Sequence, residues 1–131
     1  MTSRLLLLAA LAACIDAARA DGTDGKTLFA QNCAACHQSG GKGIPGAFPA
    51  LAGNAFVQGT PSDVATVLLK GRGGMPDFSA SLDDGEIAQV LTYVRSSWGN
   101  GAAPVTEQDV GNTRAALGVA PATHSRSSNK H

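Results

Sequence analysis

The chain has 131 residues, 44% apolar, 15% charged and only 5% aromatic, and its ten Lys and Arg balance ten Asp and Glu. That length holds one small domain; neutral charge and few aromatics exclude a nucleic-acid binder, and the apolar share excludes a wholly disordered chain. Sixteen glycines exceed the usual ~7% share, and three cysteines cannot all pair within one chain.

Residues 1–20 have the layout of a secretion signal. Arg4 is the lone positive charge ahead of the Leu and Ala run Leu5–Ala13, and Ala18-Arg19-Ala20 forms the small-x-small cleavage pattern. The run is shorter than the ~20 residues that a bilayer crossing needs. Leu11-Ala12-Ala13-Cys14 also matches the box before a lipid-modified cysteine. That would anchor the chain, although from a very short signal, and it is the less favoured alternative. Cleavage after Ala20 removes Cys14 and leaves two cysteines in a compartment where disulfides are permitted.

Asp24 is placed to cap a first helix, in which Leu28 and Phe29 form an apolar pair before Cys33. The two cysteines then fall in Cys33-Ala34-Ala35-Cys36-His37. Cys-x-x-Cys-His is the attachment signature of haem c. Two thiols one helical turn apart can each form a thioether with a haem vinyl group, and the adjacent imidazole is carried to the iron. Three other readings fit less well. A structural zinc site needs four ligands, and His124 and His131 lie in a polar tail. A thioredoxin-type pair needs a βαβ setting, and no strand-like run precedes Cys33. A disulfide across so short a loop would constrain little chain entropy.

From Ser39 to Gly59 the chain is rich in Gly and Pro and reads as a long loop. Ile44, Phe48, Leu51 and Phe56 predict that it wraps an apolar object. A second helix starts at Thr60-Pro61-Ser62-Asp63, presents Val64, Val67 and Leu68 on one face and stops at Gly71. Met75, the only methionine after residue 1, follows in Gly71-Arg72-Gly73-Gly74-Met75-Pro76. Its thioether is a soft ligand that raises an iron potential, and the flanking glycines permit close approach to a flat group. The alternatives are a methionine filling a core gap, and His124 as the rival ligand.

A third helix opens near Ser81-Leu82-Asp83-Asp84 and carries Ile87, Val90, Leu91, Val94 and Trp98 on one face before Gly99. No segment reads as a strand. All six aromatics lie between Phe29 and Trp98, which places the core there. Thr106–Leu117 fits a short capped helix with Asp109 three residues after Thr106, and Ala120–His131 reads as a disordered tail.

Over Asp24 to Asn100 these features resemble the monohaem class I c-type cytochromes. Gly25 and Phe29 match the small and aromatic pair that crosses the last helix, with Val90 and Tyr93 as partners. Pro49 matches the proline whose carbonyl accepts a hydrogen bond from the ligand histidine, and Leu51 the leucine that packs on the haem. Phe48–Asn54, the Met75 loop and Leu91–Asn100 are similar to a bacterial periplasmic subgroup that serves as cytochrome subunits or domains of dehydrogenases and oxidases. The resemblance implies an all-α class I cytochrome c fold: three main helices wrapped with long loops around one covalently bound haem. It also implies attachment through Cys33 and Cys36, and His37 and Met75 as axial ligands. The organisation is then a signal at 1–20, a cytochrome domain at 21–100 and a C-terminal extension at 101–131.

The implied function is periplasmic electron transfer between a donor dehydrogenase or reductase and an acceptor oxidase or reductase. Two protein ligands leave no coordination site for a substrate, so the chain reads as a carrier and not an enzyme. The alternatives are an obligate subunit of a dehydrogenase complex, or a haem that reacts with gases or peroxide. With a single Cys-x-x-Cys-His, the chain cannot be a multihaem relay by itself.

Weaker candidates remain. Arg72 or Trp98 could bond a haem propionate, against a solvated arginine and a core tryptophan. Asp77, Asp83, Asp84 and Glu86, or Lys42, Lys70 and Arg72, could steer a partner, against plain helix-dipole and surface roles.

Overall fold

The structure, a computed structural model, describes residues 24–123. The expected signal, Cys14, His124 and His131 lie outside these residues. The described residues form five helices and no strand, and none of the helices is long and apolar enough to cross a membrane.

Helix α1 (Gly25–Asn32) starts where the Asp24 carboxylate accepts the Thr27 N–H at 2.8 Å. The same hydrogen bonding holds the Asp24 pKa below its usual range. The backbone leaves helical geometry at Cys33 and restarts as α2 (Ala34–His37). The attachment motif therefore spans a kink, where the residues predict the end of one helix. Gln38, at φ 66°, ends α2 and turns the chain into the long loop.

Helix α3 (Pro61–Lys70) has no side-chain cap; Pro61 in its first turn lacks the N–H that would need one. It buries Val64, Ala65, Leu68 and Leu69, leaves Val67 half-buried and stops at Gly71, φ 71°. Helix α4 (Asp84–Ser96) opens on a capping box between Asp83 and Glu86. It ends three residues before Gly99, where Ser97 is extended at φ −102°, ψ 162°, and Trp98 then turns into the left-handed region at φ 53°. There the indole N–H donates to the Ser39 carbonyl at 3.2 Å, and the ring packs on Phe29 with centroids 5.1 Å apart. This tertiary anchor outweighs the helical periodicity that reaches Trp98 in the sequence.

Helix α1 crosses α4 at close range. A Cβ on Gly25 would lie 2.2 Å from the Gln89 carbonyl oxygen, so only glycine permits this approach. Phe29 then meets Tyr93 with ring centroids 5.6 Å apart. Helix α5 (Glu107–Leu117), with a Thr106–Asp109 capping box, packs on α3 and α4. It brings Val110, fully buried, into the core together with Val105. The core thus extends past Trp98, the limit read from the aromatics, because aliphatic side chains close its far side.

Among the described residues two arginines are buried. Arg95, 2% exposed, donates to the carbonyls of Val57, Gly59 and Ala103. Arg114, 5% exposed, pairs with Asp84 at 2.6 Å. The acidic residues considered for partner steering have local work: Asp83 and Glu86 form the α4 cap, Asp84 holds Arg114, and Asp77 accepts from Ser79.

Candidate haem site

His37 closes α2 with its side chain buried, 7% exposed. Its Nδ1 lies 2.9 Å from the Pro49 carbonyl oxygen. A carbonyl only accepts, so Nδ1 carries the proton and the lone pair falls on Nε2. This contact fixes both tautomer and ring direction, the arrangement that prepares an imidazole to bind a metal.

The loop must fold back sharply to bring Pro49 there. The His37 carbonyl accepts Gly43 N–H at 2.9 Å, and Ile44 and Phe48 pair through two backbone bonds. Gly43 has φ 61°, and a Cβ there would stand 2.3 Å from the Phe48 carbonyl oxygen. Beyond Pro49, the Gly41 carbonyl accepts from Leu51 and Ala52. Asn100, 6% exposed, adds three bonds: its Oδ1 accepts Gly53 N–H, and its Nδ2 donates to the Leu51 and Val94 carbonyls. Sequence reading passes over Asn100. Its one signal is an asparagine placed just after the glycine that follows α4.

Cys33 is half-buried and Cys36 exposed, and both are free thiols one helical turn apart. Burial, with a smaller contribution from Cys36, pushes the Cys33 thiol up to about 11. Met75 is half-buried against the core. It ends a tight turn closed by two backbone bonds to Arg72, of 3.0 and 3.1 Å, with Gly73 and Gly74 at the tip. A Cβ at Gly73 or Gly74 would meet nothing within 4 Å, whereas at Gly71 it would meet the Met75 carbonyl at 2.7 Å.

Among the described residues the large apolar side chains that stand exposed, Ile44 (42%), Phe48 (39%) and Phe56 (43%), all lie on the loop expected to wrap an apolar object. Arg72 does not point to a separate anion site: its guanidinium sits 5.0 Å over the Phe56 ring, tying the Met75 turn to that loop. Trp98 takes the core role described above. The donor set is one imidazole of fixed tautomer, one thioether and two thiols beside exposed apolar surface. It fits a flat, apolar, iron-bearing cofactor. Among the described residues no three His, Cys, Asp or Glu side chains converge as a bare ion would require.

The comparisons with known proteins agree with this chemistry. A family model described as cytochrome c oxidase, cbb3-type, subunit III matches residues 20–94. Cytochrome c-552 of Thermus thermophilus is 36% identical over 113 residues, which covers 70% of this chain and 85% of that protein. Cytochrome c6 of Leptolyngbya boryana is 40% identical over 78 residues, covering 57% of this chain and 91% of its own length. The gluconate 2-dehydrogenase cytochrome c subunit of Pantoea cypripedii is 32% identical over 108 residues, 72% of this chain but 24% of that subunit. The chain belongs to the cytochrome c family: its described residues form an all-α fold, it has the electron-transfer role of that family, and membership implies haem c.

Proposed function

We propose that this chain holds one haem c, attached through Cys33 and Cys36 and ligated by His37 and Met75. In this reading it carries single electrons in the periplasm between a donor dehydrogenase or reductase and an acceptor oxidase or reductase. The observation that supports it most directly is the 2.9 Å contact between His37 Nδ1 and the Pro49 carbonyl. It leaves the far nitrogen of a buried imidazole as the electron-pair donor.

When bound, the haem supplies a one-electron ferric–ferrous couple. The chain's own residues govern how that couple behaves. The Pro49 carbonyl keeps the proton on Nδ1 and makes His37 a better donor. The Met75 thioether, being soft, favours the reduced metal and raises the potential. Ile44, Phe48, Leu51 and Phe56 offer apolar surface that excludes water. His37 and Met75 would together hold the iron and leave no coordination site for a substrate, so in this reading the chain acts as a carrier.

The dehydrogenase cytochrome subunits among its relatives favour a second reading, in which the chain is a fixed subunit of such a complex. These include the gluconate enzyme's subunit and that of the quinone alcohol dehydrogenase of Gluconobacter oxydans. The chain spans only 20% to 24% of their length. Stoichiometric copurification with a dehydrogenase from periplasmic extract would mark the subunit; recovery as a free protein that a reductase reduces would mark the shuttle.

The ligand set is tested by spectroscopy. The ferric protein should be low-spin, with the far-red methionine-to-iron charge-transfer band, and Met75→Ala should abolish that band and lower the potential. An unchanged spectrum in the variant would refute Met75. High-spin iron that takes up carbon monoxide on reduction would replace the carrier with a gas- or peroxide-reactive haem.

A further inference from the structure

We propose that Arg114, on α5 and outside the segment matched by the family model, is a positioning residue for the Met75 turn. This rests on the reading of Met75 as an iron ligand. The Arg114 guanidinium is buried, and its hydrogen bonds fan out over the connection between Met75 and α4. It donates to the Ser79 carbonyl at 2.9 Å, the Leu82 carbonyl at 3.2 Å and Asp84 Oδ1 at 2.6 Å. A further bond, to the Ala120 carbonyl at 2.7 Å, ties in the strand of chain that leaves α5. That strand returns to the same connection, where Thr123 donates its N–H and its hydroxyl to the Ala80 carbonyl at 3.2 and 3.0 Å.

On the opposite side the connection is held at Phe78, whose N–H donates to the Leu68 carbonyl of α3 at 2.7 Å. Between these anchors its own bonds are local: Ser81 and Leu82 donate back to Phe78, and Ser79 to Asp77. The backbone that begins at Met75 and Pro76 is therefore fixed to the rest of the fold by Phe78 on one side and by Arg114 with its strap on the other. A neutral thioether is a weak ligand, so its hold on iron depends on how firmly its backbone is kept near the metal. Loosening Arg114 leaves Phe78 as the remaining anchor beyond Met75 and so weakens the methionine's hold, while the α1–α4 crossing and the His37–Pro49 contact stay in place.

The test uses the full-length ferric holoprotein and imidazole as an external ligand that competes with Met75. Arg114→Gln should bind imidazole about tenfold more tightly than wild type, the factor that about 1.4 kcal/mol of lost positioning supplies. Val110→Ala, which hollows the core under the same helix, serves as the stability control. It should lower the denaturation midpoint and leave imidazole affinity within about twofold of wild type, under ~0.4 kcal/mol. Arg114→Lys keeps the charge opposite Asp84 but cannot reach all three carbonyls; it should fall between, and it stands in if the glutamine variant does not accumulate. Equal imidazole affinity in wild type and the Arg114 variants, or an equal rise in Val110→Ala, would overturn the proposal. A wild-type protein without the methionine band would overturn the Met75 reading itself, which separates the two failures.

Discussion

A chain in which Cys33 and Cys36 are both alanine is expected to give up all of its haem to an acidified ketone, while the wild-type chain keeps its haem through the same extraction. The effect is all or none because a thioether is a covalent bond and survives the loss of both axial ligands. The geometry suits two such bonds. Cys36 and His37 both donate their N–H groups to the Cys33 carbonyl, at 3.2 and 2.9 Å, so the two sulfurs and the imidazole issue from a single turn. Cys33 stands half-buried with its thiol protonated at neutral pH, and Cys36 is exposed. Retention of haem by the double variant would show that attachment lies elsewhere. The extracted variant should also melt broadly. Six aromatics form a thin core for a small domain, and such domains are marginal without a staple. A sharp cooperative melt of the haem-free chain would count against that dependence.

Arg95→Leu is expected to lower the stability of the holoprotein by about 2–4 kcal/mol, a large part of the ~5–15 kcal/mol that holds a small domain together. The side chain lies on α4, 2% exposed, and satisfies carbonyls from two distant segments: Val57 at 2.7 Å and Gly59 at 2.8 Å through Nη1, and Ala103 at 2.9 Å through Nε. Leucine fits the apolar surroundings but removes these donors. The buried Val57 carbonyl left without a donor costs about 1–3 kcal/mol, and the part-buried Gly59 and Ala103 carbonyls cost less. The cost of burying the guanidinium disappears with it, which offsets part of the loss. The denaturant midpoint at constant slope measures the difference. An unchanged midpoint would mean that water reaches those carbonyls. The effect falls on the Ser39–Gly59 loop as well, because Val57 and Gly59 form its last turn before α3.

Both experiments bear on how far the residues can be read in advance. The helix ends were legible because their signals are local: Asp24, the Thr106–Asp109 box and Gly71 act within one turn of themselves. The family was legible for the same reason, since the Cys-x-x-Cys-His pattern occupies five consecutive residues. Pro49 became readable only through the resemblance, because nothing near it in the chain indicates that it faces an imidazole twelve residues away. Trp98 kept the helical period and yet lies outside α4, where its ring and N–H found better partners in Phe29 and Ser39.

The two buried arginines and Asn100 were not read at all. Arg95 and Arg114 each stand four residues after a buried apolar side chain, Leu91 and Val110, so helical spacing places them on the inner face. A charge on that face reads as an interruption until its acceptors are known, and those acceptors are backbone carbonyls up to 38 residues away and, for Arg114, also the Asp84 carboxylate.

The sequence by itself determined the neutral charge of the chain, its three main helices with the short one at Thr106–Leu117, and the five-residue Cys-x-x-Cys-His pattern. Each of these depends on composition or on groups within one helical turn. Only the tertiary structure decided which nitrogen of His37 carries the proton, what anchors the connection beyond Met75, and that α5 belongs to the core. Those outcomes depend on carbonyls and side chains that meet only when segments tens of residues apart are packed together, and no local pattern encodes such meetings. On the reading proposed above, Cys33, Cys36 and the glycines at the tip of the Met75 turn serve a group that the chain's own residues do not supply.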